Sequence, residues 1–216
     1  MSAESTPVTA RHFRYIAAHT RPEDDFLIRL KQAARDAGLP QIWISPEQAS
    51  FMAILLRLAG ARQVVEVGTL GGYSAIAMAR ALPPGGLVRT IEIAPAHAAF
   101  AEEWVARSDV RDRVEVIRGD AHEVLPRFAA DSADAAFLDA DKAGYPDYLR
   151  ECLRIVRRGG LILVDNAFAF GQLFDRQAPD PEVPAVRAFN ELMPMVRELD
   201  SIIVPIGDGC WVGVKR

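Results

Sequence analysis

From Gln63 onward, short β-rich runs alternate with helical stretches, and this rhythm constrains the fold more than any other feature of the chain. The runs are "QVVEV" (63–67), "LVRTIE" (87–92), "RVEVI" (113–117), "DAAFL" (134–138) and "GLILVD" (160–165). Strands spaced by helices in this way are the signature of βαβ units and a mainly parallel sheet. The helix after "DAAFL" is the clearest: Tyr145, Tyr148, Leu149, Cys152, Leu153 and Val156 recur at i, i+3, i+4, i+7, i+8 and i+11, one apolar stripe. Gly159-Gly160 is expected to end it.

Ahead of the sheet the pattern is helical. "RPEDDFLIRLKQAARDAG" sets Phe26, Leu30, Ala33 and Ala37 on one face, and Gly38-Leu39-Pro40 stops it. "SPEQASFMAILLRLAG" follows, with Ser45 as N-cap, Pro46 at the first helical position and Gln48 where a capping box takes Glu or Gln. Its expected stripe is Phe51, Ile54, Leu55 and Leu58. Beyond Asn166, "AFAFGQLFDRQAPDPE" reads as a long loop carrying Phe168, Phe170 and Phe174, and loops of this length in a compact domain are more often functional than idle. A helix bearing Val186, Phe189 and Met193 then leads to "SIIVP", the turn "IGDG" and "CWVGVK", an antiparallel hairpin closing the sheet. The fold class is therefore α/β. At 216 residues and 50% hydrophobic content, one domain over 1–216 is expected, with residues 1–60 as a helical N-terminal extension.

A net charge of −4 gives no general attraction for phosphate backbones or anionic membranes, so neither is an expected partner. No apolar run approaches the ~20 residues that span a bilayer, and "MSAESTPVTARHF" lacks the apolar centre of a signal peptide. Cys152 and Cys210 have neither framework nor metal-ligand spacing, as reduced structural thiols would. A cytoplasmic location is expected.

"VVEVGTLGGYS" (64–74) is a strand, a glycine turn and a helix start. Gly68, Gly71 and Gly72 allow close backbone approach to a ligand, and the helix N-terminus aims free N–H groups at the same spot. A tight strand-to-helix turn without a ligand is the lesser alternative. The G-x-x-G-G spacing departs from the G-x-G-x-x-G that cradles a dinucleotide, which disfavours a nicotinamide-dependent oxidoreductase. Glu66 would repel a diphosphate and attract the ammonium of an amino-acid-like cofactor, while Glu92, at the end of the next strand, stands where an acid usually grips ribose hydroxyls. A nucleoside bearing an amino acid satisfies both, and S-adenosylmethionine is the candidate. In "GDAHEV" (119–124), Asp120 either caps the following helix or helps set Ala121 and His122 beside the adenine. His122 has no second histidine or cysteine at ligand spacing.

The carboxyl ends of neighbouring parallel strands open into one crevice. Asp139 ends the fourth run and Asp165-Asn166 the fifth, so these side chains are expected to converge. Each alone could cap a helix or turn. Together, two carboxylates and an amide suit a hard divalent cation such as Mg²⁺ or Ca²⁺ and differ from a zinc set. Lys142, beside such a cation and screened from water, could serve as a base, or else be a solvated lysine at a helix start.

In order, "ISPEQ", "VVEVGTLGGYS", "IEI", "GDA", "FLDADK", "VDNAF" and "PIGDG" resemble the cation-dependent class I O-methyltransferases that include catechol and caffeoyl-CoA O-methyltransferases. The resemblance implies a Rossmann-like seven-stranded sheet with a reversed last hairpin, and usually a homodimer. It implies that Ile44, Glu66, Gly68, Thr69, Ser74, Glu92, Ala121, Asp139 and Asp141 meet the cofactor. It also implies that Asp139, Asp165 and Asn166 bind the metal, Mg²⁺ first with Ca²⁺ or Mn²⁺ as alternatives, and that Lys142 is the general base acting beside Asp139. Phe170 stands where caffeoyl-CoA enzymes carry a substrate-contacting asparagine, which argues against a coenzyme A thioester. The expected reaction is methyl transfer to a hydroxyl of a small aromatic vicinal diol, with tRNA hydroxyuridine as the alternative acceptor.

Overall fold

The computed structural model describes residues 6–216. Three helices, α1 (Ala10–His19), α2 (Asp25–Asp36) and α3 (Pro46–Leu58), precede the sheet; residues 1–5 of the expected N-terminal extension lie outside the described residues. The chain then runs β1 (Gln63–Val67), α4 (Tyr73–Ala81), β2 (Leu87–Glu92), α5 (Pro95–Arg107), β3 (Val114–Arg118), α6 (Ala121–Val124), β4 (Ala133–Leu138) and α7 (Tyr145–Ile155). It ends with β5 (Val156–Val164), α8 (Val183–Leu192), β6 (Leu199–Val204) and β7 (Cys210–Lys215). Among the described residues no helix is long and apolar enough to cross a membrane.

The sheet has seven strands in the order β3-β2-β1-β4-β5-β7-β6. Six are parallel, and β7 alone runs against its neighbours β5 and β6. The sequence-predicted α/β class, the five strands and the closing hairpin are all present. β1 pairs with β2 on one side and β4 on the other, so the chain reverses its direction of winding there, and the carboxyl ends of β1 and β4 flank the topological switch point.

Strand periodicity of two assigns side chains to the two faces. Val64, Ala135, Phe137, Leu161 and Leu163 pack with Leu30, Met52, Leu56 and Ile76 on one face. Val65, Val67, Ala136, Leu138, Ile162 and Val164 pack with Tyr145, Leu149, Cys152 and Phe189 on the other. Continued along the strands, the first face is also that of Glu66, Asp139 and Asp165. The polar groups at the strand ends therefore extend the face covered by α3 and α4.

Two expectations are corrected. In α3 the buried residues are Gln48, Met52 and Leu56, whereas Ile54 is 54% and Leu58 80% exposed. This helix is apolar around most of its circumference, so its period could not select a face; packing against α4 does. The helix α7 ends at Ile155 rather than at Gly159-Gly160, because Val156 already pairs with Ala133. The two glycines lie instead within an irregular start of β5, where the register shifts between Ala133 and Ala135. Cys152 and Cys210 are buried free thiols, with burial raising both thiol pKa values, Cys152 to about 12.

Candidate active site

At the switch point lies a cleft of about 870 Å³. One half is walled by Gly68, Thr69 and Ser74 from the glycine turn, Glu92 from the end of β2, Ala121 from α6 and Ile44 ahead of α3. The other half carries Asp139, Asp141, Lys142, Asp165, Asn166 and Phe170. Of the sequence-predicted site residues, Glu66 and His122 line no part of it, and of the three turn glycines Gly72 does not.

Gly68 has φ +97, and a Cβ built there would lie 1.9 Å from the carbonyl oxygen of Asp139. Its glycine is demanded by the close approach of the β1 and β4 ends, whatever the cleft holds. The turn amides are less free than expected: Glu92 Oε2 accepts from Thr69 N at 3.2 Å and Leu70 N at 2.8 Å, and its Oε1 from Ala94 N at 2.9 Å. Glu92 thus braces the glycine turn while facing the cleft. Asp120 accepts from His122 N at 2.8 Å as the N-cap of α6, and Ala121 is set against the cleft by that cap.

Glu66 has no solvent exposure, and neither carboxylate oxygen has a hydrogen-bond partner of normal geometry. Burial pushes its pKa up to about 8, against the opposing pull of the nearby Ser74 and Thr90 hydroxyls; Asp139 and Glu92 add further upward pressure. A buried carboxyl without a partner is costly unless it stays protonated or a donor arrives.

The opposite half is built from the ends of β4 and β5, the turn after β4 and the loop after β5, with α3 behind Asp165. Asp165, 5% exposed, accepts on Oδ1 from Gln48 Nε2 at 2.7 Å, and its pKa is raised, first by burial and then by the charge of Asp139. Asn166 has φ +63 and donates from Nδ2 to Asp208 Oδ2 at 3.2 Å, leaving its amide oxygen unused. Lys142, 4% exposed, donates from Nζ to Tyr145 Oη at 2.7 Å and to Asp139 Oδ1 at 3.2 Å. Asp141 accepts from Gly144 N at 2.9 Å and Tyr148 Oη at 2.7 Å, so it caps the turn Lys142–Gly144 as well as lining the cleft.

Among the described residues no three His, Cys, Asp or Glu side chains gather as a metal cluster. The candidate donors are the mixed set Asp139, Asp165 and Asn166, hard oxygens of the kind Mg²⁺, Ca²⁺ or Mn²⁺ take. An acid raised by the charge of its neighbour Asp139, together with that neighbour and an uncommitted amide oxygen, fits such an ion.

The expectation of an aromatic loop holds only in part. Phe170 lines the cleft, with Lys142 Nζ 5.9 Å from its ring centroid. Phe168 instead sits over Gly209, and Phe174 is 92% exposed. Sequence reading also missed Gln48, Tyr145 and Asp208 as site residues. Gln48 was legible as a capping residue, yet its side chain reaches Asp165, while Ser45 Oγ accepts from Gln48 N at 3.2 Å. "IGDG" was legible as a turn, with nothing in the local pattern to show that it faces Asn166.

Strand order, reversed hairpin and a switch-point cleft opening on the glycine turn define a Rossmann-like methyltransferase. Residues 17–216 match the O-methyltransferase family model. Among curated relatives, a catechol O-methyltransferase of Niastella koreensis is 37% identical over 205 residues, covering 94% of this chain and 90% of its own. A catechol O-methyltransferase of Mycobacterium tuberculosis is 38% identical over 192 residues, covering 88% and 87%. The solved O-methyltransferase from Bacillus cereus in complex with SAH superposes with a TM-score of 0.85 at 33% identity, covering 94% of this chain and 96% of that one. The chain belongs to the O-methyltransferase family, as an S-adenosylmethionine-dependent enzyme. The oxidoreductase alternative is thereby set aside.

Proposed function

We propose that this enzyme methylates one hydroxyl of a small aromatic vicinal diol, with a divalent cation, Mg²⁺ in the first instance, held by Asp139, Asp165 and Asn166. The observation that carries the reading is the meeting of this hard-oxygen set with the buried Lys142 at one end of a cleft whose other end is the glycine turn. The names of the two catechol O-methyltransferase relatives support it.

S-adenosylmethionine supplies the methyl group from its sulfonium and leaves as SAH. A divalent cation held by Asp139, Asp165 and Asn166 would supply charge stabilisation to the deprotonated hydroxyl. Lys142 takes the hydroxyl proton at Nζ, with Tyr145 and Asp139 fixing the direction of that nitrogen. Thr69 and Ser74 meet the amino-acid end of the cofactor, with the buried Glu66 carboxyl directly behind Ser74, and Glu92 meets its ribose. Phe170 walls the acceptor end against water and meets the ring. The residues contribute mainly orientation, worth up to about 7–11 kcal/mol in favourable cases.

The charge at the mouth favours a small acceptor. Asp180 and Glu182 line it, and Lys142 is the only lysine or arginine among the described lining residues. The phosphates of coenzyme A or tRNA would meet repulsion there. The test is mass spectrometry for a 14-dalton gain, about one methylene, across catechols, hydroxycinnamoyl-CoA esters and tRNA, with and without Mg²⁺. Methylation of catechols only with the ion is the expected result, and methylation of tRNA in preference to every catechol would replace the reading.

A further inference from the structure

The turn between β6 and β7, residues 205–209, touches the acceptor end of the cleft through side chain and backbone alike. Asp208 Oδ2 accepts from Phe170 N at 2.7 Å and from Asn166 Nδ2 at 3.2 Å, and its Oδ1 accepts from Gly171 N at 3.2 Å. Its carbonyl accepts from Phe168 N at 2.8 Å, and that of Gly209 from Ala167 N at 2.8 Å. One carboxylate therefore serves three donors, all within the segment that carries the candidate ligand Asn166 and the wall residue Phe170.

That segment cannot hold its shape by local preference. Asn166, Ala169 and Phe170 have φ of 63, 53 and 59, in the left-handed region that non-glycine residues rarely enter. Such conformations persist where the surroundings over-determine them. α8 holds part of it, with Asn190 Nδ2 donating to the Ala167 carbonyl at 2.8 Å, but the partners of Asn166 Nδ2 and Phe170 N come from the distant turn: Asp208 is joined to Phe170 across 38 residues of sequence and to Asn166 across 42. An amide has two ends, and the end that donates to Asp208 leaves the oxygen available for a cation.

We propose that Asp208 is a positioning residue for the acceptor end. By accepting from Asn166 Nδ2 it fixes which end of that amide is offered as a ligand, and by accepting from Phe170 N and Gly171 N it holds the aromatic wall in its left-handed backbone. The assignment rests on the cation reading above. It adds that the affinity for the ion depends on a residue that does not itself ligate.

The test is titration of the full-length protein with Mn²⁺ alone, read by electron paramagnetic resonance of the free ion, for wild type, Asp208→Ala, Asn166→Ala and the double variant. Outer partners of this kind typically alter metal affinity about 10–100-fold, and that loss is expected for Asp208→Ala. S-adenosylmethionine affinity, read by calorimetry, should stay within about twofold, because Asp208 has no hydrogen bond to the cofactor half. If Asp208 acts through Asn166, the double variant loses little more than the worse single one. Fully additive losses would mean that Asp208 acts only through its charge, and would overturn the proposal. So would wild-type Mn²⁺ affinity in a folded Asp208→Ala protein. Asp208→Asn, isosteric but with one acceptor oxygen for three donors, is the second variant: an intermediate loss is expected, and wild-type affinity would overturn the proposal even if the alanine variant fails to fold. Absence of Mn²⁺ binding by the wild type would remove the cation reading and this proposal together, an outcome distinct from a variant that binds normally.

Discussion

Lys142 and Tyr145 are locked together inside the protein: Nζ donates to the phenolic oxygen at 2.7 Å, with the residues 4% and 1% exposed. Burial pushes the Tyr145 pKa well above its ordinary value, with the surrounding carboxylates adding to the shift, so the phenol stays neutral and accepts. Lys142 therefore cannot swing into solvent without leaving the buried hydroxyl only its long contacts to the carbonyls of Leu138 and Asp165, at 3.5 and 3.4 Å. Lys142→Ala is expected to lower kcat about 10²–10⁴-fold, the usual worth of a positioned acid or base. Tyr145→Phe keeps the ring and removes only the acceptor, so a smaller loss of kcat is expected. Cofactor affinity measured by calorimetry should hold in both; unchanged turnover in Lys142→Ala would remove its assigned role.

The unpartnered Glu66 makes stability depend on pH. Its carboxyl titrates near 4.5 in the unfolded chain and near 8 in the fold, so between those values the folded state binds more protons. Stability is then fully present below about 4.5, falls as pH rises through this window, and levels off above about 8. Glu66→Gln removes the slope, and at pH 7 the unliganded variant should exceed wild type by about 3 kcal/mol. The same variant should bind S-adenosylmethionine more weakly. Parallel pH–stability curves from urea unfolding would show that Glu66 is not the source.

Removing the ion should stop the reaction without unfolding the protein. Excess chelator is expected to abolish methylation of catechols, and added Mg²⁺ to restore it. Gln48→Leu leaves Asp165 without its donor at 2.7 Å and should raise the Mg²⁺ concentration needed for half-maximal rate, by about 10-fold or more. Full activity in chelator would sink the cation reading directly.

Gly68→Ala should be among the most damaging single-methyl changes in the chain. The new Cβ would sit 1.9 Å from a backbone oxygen at φ +97, and neither strand end can yield without moving Asp139. A loss of about 3 kcal/mol or more is expected in urea unfolding, together with lost cofactor affinity. A change below about 1 kcal/mol would mean that the two strand ends separate easily.

Much of the scaffold was written locally. The five parallel runs, the caps at Ser45 and Asp120, and the closing hairpin follow from periodicities and turn residues that act over a few positions. So did the convergence of Asp139 with Asp165, because strand ends in a parallel sheet share a crevice. The face of α3 was not legible, since an evenly apolar helix has no preferred side until α4 covers one.

What the sequence by itself determined was the alternation of strands and helices in a mainly parallel sheet and the chemical types at its carboxyl edge: the glycine turn, the acids, the lysine. What only the tertiary structure decided was how those groups are held. Gln48 meets Asp165 across 117 positions and Asp208 meets Asn166 across 42, and Glu66 is sealed off from water by the helices over its face. Such pairings carry no local periodicity, because a hydrogen bond between distant segments leaves no trace in the residues that flank either end. They form once the packing of apolar faces has brought the segments together.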